Sequence, residues 1–383
     1  MLPLAKIDIC SQLFRLYMNN LKTIFYDPQI FDIQDFGGIS RYFSNLMSGV
    51  KESGSFHVRL PLLYTTNHYI QNLPQIMNRS FGKLLLKKTA KKSNWNKQYL
   101  LRQLKTDKYD LFHPSYYDPY FLDVLKKPLI ITVHDMIYEN FPDLFPDAEH
   151  TIENKKNLMD RATLIIAISD FTRQQIIKWH PQFERKIRVV HHGIPSSSII
   201  AAKNSLPEKF LLYIGDRNAA YKNFERFTVA VAPLLLKTPG LHLVCAGGGR
   251  FNQQEISHFS SLQLQERIMQ VSATDSVLKQ LYQNAIALVY PSIEEGFGLP
   301  ILEAFENQCP VACSNTSCLP EVGGSAVVYF DPTDQNSMRE TLSLLLSAPE
   351  IRQTLKKSGL GQLRNFSFEN SLNKTIACYQ ELI

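Results

Sequence analysis

Short, unbroken apolar runs alternate along the chain with stretches in which apolar positions recur every three to four residues. The runs Thr23–Tyr26, Val58–Leu63, Leu111–His113, Leu129–Val133, Leu164–Ile168 and Ile187–Val190 predict strands covered on both faces. Between them the spacing predicts helices from Ile39 to about Val50 and near 97–105, 149–160 and 170–179, the last capped by Ser169 or Asp170. The alternation resumes with strands at Phe210–Ile214, Leu241–Ala246, Ile268–Val271, Ala285–Tyr290 and Val311–Ser314, and helices at Asn223–Leu236 and near 276–284 and 299–307. Roughly 334–383 reads as consecutive helices. Such alternation builds parallel sheets with helices on both faces, and ligands of such sheets sit at the carboxyl ends of the strands.

At roughly 100 to 200 residues per domain, 383 residues divide naturally into two units. A Gly-, Pro- and Ser-rich segment at 193–208 reads as the hinge between a first domain over 22–192 and a second over 209–366. The helix 367–383 is expected to pack back on the first domain, and 1–21 to be an N-terminal extension. That extension carries no signal-peptide cleavage pattern, and Met18 is read as an alternative start.

Composition changes this picture little. Apolar residues make up 44% of the chain and charged residues 20%, an ordinary globular balance. The net charge of +6 is mild, and no nucleic-acid recognition motif accompanies it, so nucleic acid is not an expected partner. The six cysteines form no C-x-x-C pair and lack a nearby histidine at 309–318, which predicts reduced, buried thiols and a cytoplasmic protein. No apolar run approaches the roughly 18 residues of a membrane helix.

The strongest chemical signal is the segment from Pro291 to Ala304. A Gly-Phe-Gly turn (Gly296, Phe297, Gly298) follows a strand and leads through Leu299 into a helix with Pro300 in its first turn, where the missing N–H costs little. Free main-chain N–H groups there suit a phosphate or sugar hydroxyl. Glu295 precedes the helix and Glu303 lies about one turn inside it, so the two carboxylates can accept hydroxyls from different parts of one elongated ligand.

This segment resembles the E-x7-E signature of family 4 of the retaining glycosyltransferases, as do Pro310–Ser314, Ser317–Gly324 and Phe330–Pro332. The resemblance covers roughly 22–383 and implies the GT-B architecture: two Rossmann-like, doubly wound α/β domains with parallel sheets facing across a cleft. It implies that Glu303 binds the donor ribose, that Glu295 binds the transferred sugar, and that the main chain of Gly296–Leu299 holds sugar and diphosphate. It further places Glu321 as a support for the neighbouring turn.

The segment Ile214–Asn223 follows another strand end. As a glycosidic bond to a nucleoside diphosphate breaks, negative charge grows on the departing group, and Arg217 and Lys222 offer cations for it. The segment resembles the family's G-x-R…K-N element, although Tyr221 stands where many members place an arginine. Asn223 is expected to cap the next helix. Val271, at the end of a further strand, matches a position where members contact the base through main chain. On the N-terminal side, Gly37 and Gly38 open the first helix where the family sets a Gly-rich loop against the donor phosphate, and Arg41 lies one turn in. His134, at the carboxyl end of Leu129–Val133, resembles the family's His-Asp element, facing the transferred sugar, with Asp135 supporting the loop. His191 and His192 are assigned no chemistry.

The residues offer donors and cations but no nucleophile–base pair, which suits a retaining transfer in which the leaving phosphate takes the acceptor's proton. No Asp-x-Asp occurs, so no metal and no other cofactor is expected. The expected partners are a nucleotide-sugar donor, with a lean to GDP-mannose, and a glycan or lipid-linked acceptor of cell-surface polysaccharide or lipopolysaccharide synthesis. Residues 81–108 carry nine Lys or Arg and one acid among Leu, Phe, Trp and Tyr, and predict a peripheral contact with anionic lipid. The alternatives are a GT-B epimerase or phosphorylase, and a non-catalytic sugar-nucleotide binding module.

Overall fold

The computed structural model describes residues 21–70, 89–106, 108–196, 199–272 and 274–383. The extension up to residue 20, and 81–88 and 107 of the basic stretch, lie outside the described residues.

Twelve strands lie within the described residues: β1 (Thr23–Tyr26), β2 (His57–Arg59), β3 (Leu111–His113), β4 (Ile130–Val133), β5 (Leu164–Ala167), β6 (Ile187–Val189), β7 (Lys209–Ile214), β8 (Leu241–Ala246), β9 (Ile268–Val271), β10 (Ala287–Tyr290), β11 (Val311–Ser314) and β12 (Val328–Phe330). All pairings are parallel. In the first domain β2-β1-β3 and β4-β5-β6 are joined by a parallel bridge between Phe112 and Leu129. The second sheet runs β12-β11-β10-β7-β8-β9, a doubly wound order whose winding reverses between β7 and β10. The central strands β3, β4, β5, β10 and β11 are buried throughout, which is why they read as unbroken apolar runs.

The run Val58–Leu63 departs most from its strand. Leu60 and Leu62 are buried, yet only His57–Arg59 pairs, and the side-chain carbonyl of Asn96 accepts from the Leu63 and Tyr64 amides further on. The helix Gln253–Ser261, with a full Asn252/Glu255 capping box, and the short helices Gln29–Ile33, Ile137–Asn140 and Leu319–Gly323 have no counterpart in the periodicity reading.

The chain crosses between domains twice, side by side. Ile194 forms a parallel bridge with Ser367, and Gly193 lies so close that a Cβ there would stand 2.3 Å from the Ser367 carbonyl oxygen. Beyond Ser367 the helix Phe368–Gln380 packs on the first domain. The Tyr379 hydroxyl meets the Tyr26 hydroxyl at 2.8 Å and His113 Nδ1 at 2.7 Å, all buried. Burial pushes the His113 imidazole down to about 3, so this network is neutral.

Candidate active site

The loops after β7 and β10 meet where the second sheet's winding reverses. The Ile293 amide donates to the Tyr221 carbonyl at 2.7 Å, and Asn223 Nδ2 donates to the carbonyls of Pro291 and Pro332 at 3.1 and 2.8 Å. Asn223 therefore does not cap the following helix: with φ of 58° its side chain is turned to these carbonyls and makes no capping bond. This stitching brings Lys222 Nζ to 2.6 Å from Glu295 Oε1, both side chains largely shielded.

Arg217 departs from its expected place on the donor phosphate. Its side chain is fully buried, with Nε donating to Glu255 at 2.6 Å and the two Nη groups to the carbonyls of Gly247, Gly248 and Gly249. The rings of Phe251 and Phe224 flank it. These contacts tie the guanidinium to the glycine turn after β8.

Gly298, in the left-handed region at φ 94°, turns the chain into the helix Leu299–Glu306. Glu303, on that helix, accepts from the Tyr282 hydroxyl at 2.7 Å and forms an ion pair with Arg41 of the opposite domain. Arg41 lies on the helix Gly38–Glu52. At the start of that helix the Gln34 side chain accepts from the Ser40 amide at 3.2 Å and occupies the space a Cβ at Gly37 would fill. A Cβ at Gly38 would touch Leu299, so this turn lies against the N-terminus of the Glu303 helix. A cavity of about 350 Å³ extends from Arg41 and Glu303 between Tyr69, His192, Asp275 and Tyr282. Val271, half-buried at the end of β9, precedes the helix that contributes Asp275 and Tyr282.

The tightest contact between domains is at Gly296. A Cβ there would stand 1.7 Å from the His134 carbonyl oxygen. The Gly296 carbonyl accepts from Ser169 Oγ at 2.8 Å and from Thr172 Oγ1 at 3.3 Å. Ser169 is also the N-cap of the helix Asp170–Trp179, accepting from the Thr172 amide. The His134 imidazole is buried, and its Nε2 has no protein partner. Burial first, then His192, His113 and Lys155, hold it far below its ordinary value, so the ring is neutral.

One contributor was not read as functional from sequence, and a second, Glu321, was read only as a support for its neighbouring turn. His192 packs its buried ring against Tyr42, Phe297 and His134, with Nδ1 unpartnered. Burial depresses it to about 3, with His191 adding to the effect. Glu321 caps the helix Asp170–Trp179 from the opposite domain, accepting from the Asp170 and Phe171 amides at 2.9 and 3.2 Å and from His191 Nε2. His192 left no signal beyond its residue type, and the partners of Glu321 could not be read because they are remote in the chain. Among the described residues, one group offers a metal-like ligand set, Asp170, His191 and Glu321. Its Glu321 oxygens are already taken by helix capping and His191.

Two parallel-sheet α/β domains, with a helix N-terminus, a shielded lysine–glutamate pair and a second carboxylate where the second sheet's winding reverses, have the GT-B architecture of glycosyltransferases. Two family models match in tandem: "Glycosyltransferase Family 4" over residues 36–198 and "Glycosyl transferases group 1" over 197–361. The chain belongs to the family 4 glycosyltransferases. It is 29% identical over 381 residues to O-antigen chain mannosyltransferase B of Escherichia coli, covering 90% of this chain and 96% of that protein. It is 27% identical to O-antigen chain mannosyltransferase RfbU of Salmonella typhimurium, covering 57% of this chain and 61% of that one. Among solved structures, the fold matches sucrose-phosphate synthase from Thermosynechococcus elongatus (TM-score 0.72, 18% identity, 94% of this chain and 99% of that one). It also matches Anabaena HepE in complex with UDP-glucose (TM-score 0.72, 16% identity, 95% and 100%).

Two outcomes follow. Gly296→Ala is expected to fold normally by circular dichroism yet to lower kcat/KM by about 100-fold or more, because the new methyl must push the His134 loop away. The Glu321 carboxyl should make the domain contact acid-sensitive. Burial alone would raise its pKa, but the bonds from His191, Asp170 and Phe171 outweigh that and lower it. The stabilisation is therefore present above the ordinary carboxylate range and fades as pH falls through the lowered folded value. Small-angle scattering should show the particle expanding on acidification, and Glu321→Gln should remove that transition.

Proposed function

We propose that the chain transfers mannose, with retention and without a metal ion, from GDP-mannose to a saccharide or lipid-linked acceptor of O-antigen-type polysaccharide. The observation that carries the reading is the Lys222–Glu295 pair beside the Gly296–Leu299 turn, on which the main chain of His134 packs. The mannosyl donor and the O-antigen acceptor class are supported by the two relatives, both O-antigen chain mannosyltransferases.

On this reading the diphosphate lies at the N-terminus of the helix Leu299–Glu306 with Lys222 beside it. The ribose hydroxyls take the place of Arg41 at Glu303, and Glu295 and His134 address the sugar. The acceptor hydroxyl attacks the anomeric carbon on the face from which the diphosphate departs. The carbon–oxygen bond to phosphate breaks as the new glycosidic bond forms, and the acceptor proton passes to the departing phosphate oxygen. The products are GDP and a glycoside of unchanged configuration. Lys222 and the helix amides carry the charge that a metal would otherwise neutralise.

The test is product analysis with purified protein, GDP-mannose and acceptor. NMR of the product should show an α-linkage, and excess chelator should leave the rate unchanged. Lys222→Ala should lower kcat by about 10²- to 10³-fold, the cost of removing one such stabilising group. An inverted product, or a loss in chelator that added metal restores, overturns the reading.

The helix Thr89–Leu104, with Trp95 56% exposed, supports a peripheral contact of the basic stretch with anionic lipid. The protein should float with anionic vesicles at low salt and not at high salt. Among the described residues no helix is long and apolar enough to cross a membrane.

A further inference from the structure

The helix Ala148–Arg161 buries Lys155 beside Ala148, Leu158 and Met159, on the face where its neighbours are apolar. The lysine side chain is 0% exposed and its partner Glu139 2%. Nζ donates to Glu139 Oε2 at 2.9 Å and to the main-chain carbonyl of Asp135 at 3.1 Å. It also lies 5.1 Å from the centre of the Tyr117 ring and 5.8 Å from that of Tyr138. Tyr117 in turn accepts, through its hydroxyl, from the His134 amide at 2.9 Å. One buried ammonium thus touches Asp135 directly and His134 through a single ring.

Stability alone does not explain this arrangement. A buried ion pair is often matched or bettered by apolar side chains of similar volume, because both charges must leave water. What apolar side chains cannot do is bond the Asp135 carbonyl. A charged donor does so about twice as strongly as a neutral one, and the loop it holds is the one whose His134 carbonyl packs on Gly296.

We propose that Lys155 is a positioning residue for sugar transfer: clamped by Glu139, it fixes the main chain of His134 and Asp135 so that the His134 loop meets the Gly296 turn in one geometry. The proposal rests on the reading of His134 as facing the transferred sugar. Lys155 touches no substrate and acts only through that loop.

The test is the double variant Lys155→Met/Glu139→Leu, which removes both charges together and so leaves none buried alone. Its Tm should be at or above that of the wild type, and its affinity for GDP and KM for GDP-mannose unchanged. Its kcat should fall by about 30- to 100-fold, on the scale of a small misplacement of a reacting group. The amides of residues 134–137 should exchange faster with deuterium. A second variant, Glu139→Gln, keeps the lysine's bond to Asp135 but removes its counter-ion, so Tm is measured beside the rate; at unchanged Tm kcat should stay within about threefold. Wild-type kcat in the double variant, or an equal loss in Glu139→Gln at unchanged Tm, overturns the proposal. If the wild type does not use GDP-mannose, the donor reading fails on its own. Exchange at 134–137 then still decides, and unchanged protection in the double variant overturns the positioning role whatever the donor.

Discussion

The molecule depends on one close approach: the main chain after β4 lies directly on the main chain after β10, with no side chain between them. Gly296 has no room for a Cβ because the His134 carbonyl is there, and its own carbonyl is held by Ser169 and Thr172 from the same opposite domain. Three elements of the first domain converge on that one residue: the loop after β4, the Ser169 cap after β5, and the helix that follows it. A contact between backbones is stiff, since no rotamer can absorb a displacement. The distance between the two halves of the site is therefore set by peptide geometry, and the flexible side chains around it need only fill in.

Around that contact each domain stabilises the other's termini. Glu321 supplies from the second domain the negative charge that the N-terminus of the helix Asp170–Trp179 calls for. Asn140 reaches back from the first domain to Glu294, at 2.8 Å. These bonds are polar and half-shielded, and most involve groups that water could serve if the domains parted. They favour the closed arrangement without making it irreversible, which suits a cleft that must admit a ligand and release it. The paired crossings at Gly193 and Ser367 confine the covalent link between the domains to one narrow place.

Much of the fold was legible because a strand buried on both faces has to be apolar throughout. β1, β3, β8, β9 and β11 stand where the runs stood, to the residue. The second half of the site was legible because a Gly-x-Gly turn with proline entering a helix is local chemistry. Orientation was not legible. Arg217 looked like a phosphate ligand from its neighbours, but its direction is decided by Glu255 and by glycine carbonyls 30 to 32 positions away. The partners of Glu303 and Arg41 are 262 positions apart, and those of Glu321 and His191 are 130 apart. A single sequence carries the capacity of such groups to pair, never their choice of partner. Asn223 shows the same limit on a smaller scale: a good capping residue found better acceptors in Pro291 and Pro332.

The two carboxylates of the motif make the electrostatic logic of the cleft visible. Glu295 is neutralised by Lys222 from its own domain, Glu303 by Arg41 from the other. Two shielded carboxylates left bare would carry a desolvation cost, so the cleft is held together by cations that a ligand must redistribute. A ligand offering hydroxyls to Glu303 releases the Arg41 guanidinium, and an anionic group arriving with those hydroxyls receives it. A neutral sugar alone would uncover Arg41 without satisfying it, and a bare phosphate would draw on the cations while stranding Glu303. Only a molecule that joins hydroxyls to an anion settles both halves of the account. The charge pairing of the cleft therefore suits a ligand that carries hydroxyls and an anion together.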